Sequence, residues 1–297
     1  MPKVSVLIPM YNAAPYIEAA IESVLEQTFA DYELLIVDNR STDGGLELVR
    51  KYVSDPRVRI YQNEENVGMA RNWNQCLLYA TGEYIKFLCA DDLFEPELLE
   101  AYVAVMEQNP GVSLLTSRRK FLYPDGRMEE TEPFIKGLRT GREVCSEIIS
   151  GHLNPIGEPT VVMFRRKHLN AGLFNTDMHW TTDIDFWLRL CLLGDVYGLE
   201  KSFTIFRQNE GQATNEVVQS GKFLEQERNF IYYNSFIRNS PVKNDVALYR
   251  RRISTHLLNA VRLISKDKAK QYLQIWPQKD GILVRLKMMK YYLTRSK

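Results

Sequence analysis

Apolar positions in the first 117 residues alternate between two rhythms. Val4–Ile8 (VSVLI) and Glu33–Asp38 (ELLIVD) are short apolar runs, the pattern of strands buried on both faces. Between them Ile17, Ala20, Ile21, Val24 and Leu25 recur at one-face helical spacing, with Pro15 at the place of a first helical residue. Ser41, Thr42 and Asp43 read as capping residues for a second helix carrying Leu48, Val49, Tyr52 and Val53. A third strand is predicted over Arg57–Gln62, a helix over roughly 69–80 and a strand over Tyr84–Ala90. Pro96 opens a helix to about 108, and Gly111–Ser117 reads as a further strand. The rhythm then loosens. Pro124-Asp125-Gly126 is a tight turn, 141–150 a helix, Thr160–Phe164 a strand, Asp183–Leu193 an amphipathic helix and Ser202–Phe206 a last strand. From about 219 the pattern is helical only, interrupted near Ser240-Pro241 and Pro277.

Strand alternating with helix implies an α/β domain with a mostly parallel central sheet flanked by helices. Ligands of such sheets bind beyond the carboxyl ends of the strands. The loops to watch are therefore Pro9–Ala14, Asp38–Gly45, Asn63–Asn72 and Ala90–Pro96. They hold Tyr11, Asp38, Asp43, Arg71, Asp91 and Asp92.

The 297 residues are 45% hydrophobic and 25% charged, which excludes disorder and collagen-like structure. The longest stretch free of charge, Val4–Ile17, is 14 residues, against the roughly 20 a spanning helix needs. No membrane span and no signal peptide are expected. Cys76, Cys89, Cys145 and Cys191 lie far apart and read as reduced thiols of a cytoplasmic protein. Charge is divided unevenly. Residues 1–216 carry 21 Lys/Arg against 32 Asp/Glu, and residues 217–297 carry 17 against 5. Within that basic tail Ile282, Leu286, Met289 and Leu293 share one helical face, surrounded by Arg285, Lys287, Lys290, Arg295 and Lys297. The face suits peripheral contact with an anionic membrane, packing on the acidic domain, or a second subunit in a homodimer; the sequence does not choose among them.

The carboxylate pairs have two readings each. Asp91-Asp92 at a strand end would hold a hard divalent cation, Mg²⁺ or Mn²⁺, or cap the next helix. Asp38 would contact a ligand or organise a turn. Asp183 and Asp185 open a helix and would cap it or serve a site. Arg71 would meet a phosphate or stay solvated. Trp180, beside Thr181-Thr182-Asp183, would line a pocket or join the core. Glycine-rich dinucleotide and P-loop motifs are missing, as are a nucleophile elbow and zinc spacing. Nothing points to nucleic acid as a partner.

Six segments occur in order: VSVLIPMYN (4–12), IESVLEQTF (21–29), DYELLIVDNRSTDG (31–44), NVGMARN (66–72), ATGEYIKFLCADD (80–92) and TDIDFWLRL (182–190). Together they resemble the family 2 inverting glycosyltransferases with the GT-A fold, over residues 1 to about 210. The resemblance implies a GT-A (Rossmann-like) domain at 1–216, with a nucleotide-binding part at about 1–117 and an acceptor part at about 118–216, followed by the basic helical region 217–297.

It also implies roles. Pro9 and Tyr11 match the loop flanking the base. Asp38 and Asn39 match the paired acids at base and ribose, and Arg71 and Asn72 match the segment near the nucleotide. Asp91 and Asp92 match the Asp-x-Asp-type site whose last Asp holds the metal. Asp183 matches the general base, and Arg207 a basic residue reaching donor or acceptor. Trp180 and Thr182 adjoin the base as donor or acceptor contacts. Asn39, Cys89 and Thr182 depart from the commoner Asp, Asp and Glu. The implied reaction moves a sugar from a UDP- or dTDP-sugar donor to a glycan or lipid-diphosphate-linked sugar, in bacterial surface polysaccharide synthesis. A sugar-nucleotide nucleotidyltransferase and a non-catalytic nucleotide- or glycan-binding relative are the alternatives. The nucleotidyltransferase would need a Gly-rich, Arg-containing loop where PMYNAAP stands at 9–15.

Overall fold

The computed structural model describes residues 1–133, 135–150, 154–178 and 181–209. The chain divides into two units. The first comprises residues 1–145, 155–177 and 182–209; the second comprises 146–154, 178–181 and 210–297, most of it outside the described residues. Trp180 and the basic tail beyond 217 lie outside them as well.

β1 (Val4–Met10) runs two residues past the predicted strand end, through Pro9. Proline is tolerated because pairing with β4 (Tyr84–Phe87) ends at Leu7↔Phe87, while pairing with β2 (Tyr32–Asp38) continues to Met10↔Asp38. Alternate residues of a parallel strand bond to opposite neighbours. Leu7 and Pro9 face the β4 side, so the missing N–H falls where no strand lies. α1 (Ile17–Leu25) starts after a turn in which the Tyr16 and Ile17 amides reach the Ala13 carbonyl, so Pro15 precedes the helix. α2 (Gly45–Arg50) begins at Gly44, φ +85°, without a side-chain cap. Ser41 and Thr42 serve the neighbouring loop instead.

β3 (Val58–Gln62), α3 (Met69–Tyr79) and β4 follow, with β4 three residues shorter than predicted. After it the Leu88 amide still reaches the Leu7 carbonyl, and then the chain leaves the sheet. β5 (Leu93–Phe94) comes before α4 (Leu98–Gln108). Asp91 and Asp92 thus stand several residues ahead of the helix, which removes the capping reading. β6 (Val112–Leu122), longer than predicted, turns at Gly126 into β7 (Met128–Glu130). β8 (Gly137–Arg139), α5 (Gly141–Ser150), β9 (Met163–Arg165), α6 (Thr182–Cys191) and β10 (Asp195–Arg207) complete the described chain. The predicted strand 160–164 is a 3₁₀ turn at Pro159–Val161 followed by the short β9.

The strand order is β3-β2-β1-β4-β9-β6-β10-β5, with β7 beside β6 and β8 beside β10. β3-β2-β1-β4 is parallel throughout, as is β6–β10. The remaining pairings are antiparallel, so the sheet is parallel in its N-terminal half and mixed beyond it.

One face buries Val4, Val6 and Ile8 of β1 against Ile17, Ile21 and Val24 of α1 and Leu98, Tyr102 and Met106 of α4. Each such side chain stabilises by about 1.5–3 kcal/mol. On the opposite face α3 packs on β1 and β2. There Trp73, Phe87, Phe174, Phe186 and Trp187 form a continuous ring cluster, with centroids 4.5 to 6.1 Å apart along the chain of contacts. Asn74 exchanges two 2.9 Å bonds with the backbone of Phe174. Arg189 of α6 reaches the Ala171 and Leu173 carbonyls at 2.7 Å and the Asp185 carboxylate at 2.9 Å. Segment 171–174 is therefore a strut between α3 and α6, and Asp185 belongs to that strut.

Candidate active site

The parallel half brings the carboxyl ends of β1, β2 and β4 side by side. The loops after β1 and β2 are stapled together. The Asn12 amide donates to Ser41 Oγ at 2.9 Å, the Thr42 amide to Asn12 Oδ1 at 2.9 Å, and the Ala14 amide to Asp43 Oδ2 at 2.8 Å. Asn12 and Arg40 both take left-handed φ, 48° and 64°. That costs a non-glycine residue roughly 1–2 kcal/mol, which these bonds offset. Tyr11 projects from this loop, 49% exposed.

Asp38 is fully buried and accepts from the Ser41 amide at 3.2 Å and from Gln62 Nε2 at 2.9 Å. Asn39 is buried too. Its Oδ1 accepts from Asn63 Nδ2 and the Val67 amide, both at 3.0 Å, and its Nδ2 donates to Asn66 Oδ1 at 2.8 Å. Asn63 also donates to Asn72 Oδ1 at 2.9 Å, and Asn72 donates to the Val37 carbonyl at 3.1 Å. Four asparagines thus bind loop 63–68 to the end of β2. Asn39 and Asn72 build the wall of this loop cluster, and Arg71 stands exposed on the first turn of α3.

Asp91 is half-buried and accepts from Asn209 Nδ2 at 3.0 Å. Asp92 is fully buried. Its Oδ2 accepts from Thr160 Oγ1 at 2.6 Å and its Oδ1 from the Arg207 amide at 3.2 Å. Burial, with the charge of Asp91 added, holds the Asp92 carboxyl well above the usual carboxylate range. Arg207 reaches this place through its backbone, while its guanidinium lies 5.8 Å from the Tyr16 ring. Beneath, Lys86 of β4 is fully buried, and burial pulls its ammonium well below the usual lysine value.

Asp183 stands in the first turn of α6, half-buried, with the Ile184 amide donating to its Oδ1 at 2.8 Å. Burial pushes its carboxyl up to about 7; the Ile184 amide pulls it down and the charge of Glu158 pushes it up. Thr182 is buried, its hydroxyl donating to the Asn175 carbonyl at 2.9 Å, so it fixes the helix start. Segment 157–160 touches both acidic places. Trp187 Nε1 donates to the Gly157 carbonyl at 3.1 Å, and Thr160 holds Asp92. Glu158, between them, pairs with Arg119 at 2.9 Å.

Sequence reasoning missed Gln62, Asn63, Lys86, Glu158 and Thr160. The spacing gives no sign of Glu158 or Thr160, because segment 157–160 meets Asp92 only through the antiparallel return of β9. Lys86 had a signal: a lone cation in an otherwise apolar strand run.

For a divalent metal the fit is chemical. Asp91 and Asp92 offer hard oxygens at the end of the loop after β4, and each Asp92 oxygen carries one hydrogen bond, leaving lone pairs. No group of three or more His, Cys, Asp or Glu poised for a metal occurs among the described residues. Mg²⁺ and Mn²⁺ suit such a set, taking one or two carboxylates with water and substrate phosphate oxygens.

A parallel β3-β2-β1-β4 half-sheet, loops gathered at its carboxyl end and a second acidic station on a later helix define a GT-A nucleotide-sugar domain. The sequence model of Glycosyl transferase family 2 matches residues 5–173, and the chain belongs to that family. It is a glycosyltransferase using a nucleotide-sugar donor. An uncharacterised protein of Mycobacterium tuberculosis is 33% identical over 227 residues, 73% of this chain and 70% of that protein. Among solved structures, S. aureus TarS in complex with UDP-GlcNAc superposes with a TM-score of 0.68 at 20% identity, covering 98% of this chain and 92% of that one. A mannosyltransferase from Pyrobaculum calidifontis in complex with GDP-Man and Mn²⁺ gives 0.61 at 20% identity, covering 97% and 80%. Family membership sets aside the nucleotidyltransferase as a reading of the chain. Among the described residues no helix is long and apolar enough to cross a membrane.

Proposed function

We propose that the chain transfers a sugar with inversion from a uracil or thymine nucleoside diphosphate to a hydroxyl of a glycan or lipid-linked glycan. The observation that carries this is the pair of separated acidic stations: Asp91 and Asp92 after β4, and Asp183 at the start of α6 with its carboxyl near 7. A base poised near neutrality takes a proton at working pH, the condition for efficient general base catalysis.

In this reading Tyr11, Asp38 and the wall built by Asn39 and Asn72 receive the nucleotide, with Pro9 shaping the strand end and Arg71 facing the phosphates. Asp91 and Asp92 hold Mg²⁺ or Mn²⁺, which when bound stabilises the charge of the departing diphosphate. Asp183 takes the proton of the acceptor hydroxyl as it attacks the face opposite the leaving group, and a single displacement inverts the anomeric centre. Trp180, Thr182 and Arg207 border donor or acceptor. The pyrimidine preference rests on ring N3–H, a single donor that one acceptor of this loop cluster satisfies. Mn²⁺ in the Pyrobaculum complex accords with an all-oxygen site.

The 1–216 catalytic region and the 217–297 basic tail are proposed as separate working parts. The tail holds the enzyme peripherally on the cytoplasmic face of a bacterial membrane, where surface polysaccharide precursors are extended. Incubation with a panel of nucleotide sugars and Mn²⁺, followed by NMR of the anomeric proton in the product, tests the reading. Retention of anomeric configuration, or turnover unchanged in a chelator, overturns it. Sedimentation with anionic vesicles at low and high salt tests the tail. A full chain that stays in solution at low salt defeats the membrane contact.

A further inference from the structure

Lys86 has no evident structural reason to be a lysine. It lies in the middle of the sheet on β4, fully buried. Apolar residues satisfy such positions, and burying an ammonium is costly unless it is well compensated. Among the described residues no carboxylate lies within ion-pair distance of it, and the charge of Asp92 acts on it only from farther off. Its Nζ lies 4.7 Å and 5.3 Å from the centroids of the Phe94 and Tyr102 rings, and donates to the Phe87 carbonyl at 3.4 Å and to the Thr160 carbonyl.

Thr160 is a junction, 1% exposed. Its carbonyl receives Lys86. Its hydroxyl accepts from the Cys89 amide at 3.0 Å and donates to Asp92 Oδ2 at 2.6 Å. That last distance is in the range of a charge-assisted bond to a carboxylate. Next to it, Tyr102 donates to the Val161 carbonyl at 2.9 Å. Every polar group of Thr160 that the side chain and carbonyl offer is therefore spent between the floor of the sheet and one oxygen of Asp92.

We propose that Thr160, anchored from below by Lys86, is a positioning residue that sets the orientation of the Asp92 carboxylate for the divalent metal. The proposal rests on the reading of Asp92 as a metal ligand. Groups that orient a metal ligand typically change metal affinity or activity by about 10–100-fold when removed.

The test uses the full chain with UDP and Mn²⁺, reading free Mn²⁺ by electron paramagnetic resonance and folding by thermal melting. Thr160→Val keeps shape and loses the hydroxyl; its Mn²⁺ affinity is expected to fall about 10–100-fold. Thr160→Ser keeps the hydroxyl and should stay within about threefold of the parent, a small part of that range. Lys86→Met removes the donor to the Thr160 carbonyl and should weaken Mn²⁺ in the same direction, with thermal melting showing that the variant is folded. Lys86→Met and Thr160→Ser together decide the matter if Thr160→Val does not fold. The inference falls if Thr160→Val binds Mn²⁺ like the parent, if Thr160→Ser loses as much as Thr160→Val, or if Lys86→Met leaves Mn²⁺ affinity unchanged. Asp92→Asn separates the two levels. If Asp92→Asn binds Mn²⁺ normally, the metal reading itself fails; if it loses Mn²⁺ while Thr160→Val does not, only the positioning role fails.

Discussion

The loops after β1 and β2 and the segments around Asp92 and Asp183 are built on opposite terms. On the first side, Asn12, Asp38, Asn39, Asn63 and Asn72 are each held by hydrogen bonds of 2.8 to 3.2 Å. On the second, carboxyls stand where their charge is resisted: Asp92 well above the usual range and Asp183 near 7. Among the described residues, Arg119 Nε, Ser202 Oγ and Thr204 Oγ1 are buried without a hydrogen-bond partner. On the proposed reading the donor side is preorganised by amides and one buried carboxylate, and the reactive side holds carboxyls against their charge. Binding wants fixed geometry, whereas proton transfer wants a pKa matched to working pH. The difference also says where mutation should act on affinity and where on rate.

The largest expected effect breaks the reactive side. Asp183→Asn should lower transfer by about 10²–10⁴-fold, the usual worth of general base catalysis, and leave UDP affinity unchanged. Single-turnover transfer and calorimetry read the two separately. A loss below about tenfold removes Asp183 from the base role.

Asp92→Asn should cost about 10²-fold or more in turnover, because metal stabilisation of a leaving diphosphate is worth several kcal/mol. Asp91→Asn, altering the more accessible carboxylate, should raise the Mn²⁺ concentration needed for half-maximal rate. If chelator leaves the parent enzyme fully active, neither residue holds a working metal.

On the donor side Asn39→Ala sharpens the contrast. It removes the acceptor that Asn63 Nδ2 and the Val67 amide share, at about 0.5–1.5 kcal/mol for each hydrogen bond lost. UDP affinity should weaken about tenfold as loop 63–68 loosens, an effect of about 1.4 kcal/mol, while the pH profile of turnover keeps its shape. A changed pH profile with normal UDP affinity would reverse the assignment of the two sides.

The same contrast explains what was legible in the sequence. β1, β2, α1 and α3 were readable because apolar periodicity alone specifies them, and the resemblance singled out Asp91, Asp92 and Asp183. The reach of β6 and β10 was not readable. The outer end of β6, Arg118–Leu122, opens on three cations that hide its pairing with Ser202–Arg207, and the start of β10, Asp195–Lys201, lies before the predicted last strand. The role expected of Ser41 and Thr42 as helix caps was local reasoning overtaken by tertiary bonds to Asn12. Glu158 and Thr160 were invisible because their partners, Arg119 for Glu158 and Asp92, 68 positions away, for Thr160, are distant along the chain. Hydrogen-bond partners at that separation leave no trace in spacing.

The smallest expected effect probes how the reactive side holds its base. Asp183 sits near 7 chiefly through burial, with Glu158 adding repulsion. An unfolded aspartate titrates near 3.9. Ionising Asp183 in the folded chain therefore costs stability; that cost is absent below about pH 4, grows through the interval and is complete above about 7. For catalysis the sign is opposite, since only the ionised carboxylate takes a proton, so kcat should rise with pH through about 7. Glu158→Gln removes one negative charge and should move that acid limb to lower pH, by less than about one unit because burial remains. Asp183→Asn should gain in melting temperature over the parent at pH 8 but not at pH 4. An acid limb that stays fixed in Glu158→Gln would show that Glu158 does not act on the base. A melting difference for Asp183→Asn that is the same at both pH values would show that the carboxyl is not held up by burial.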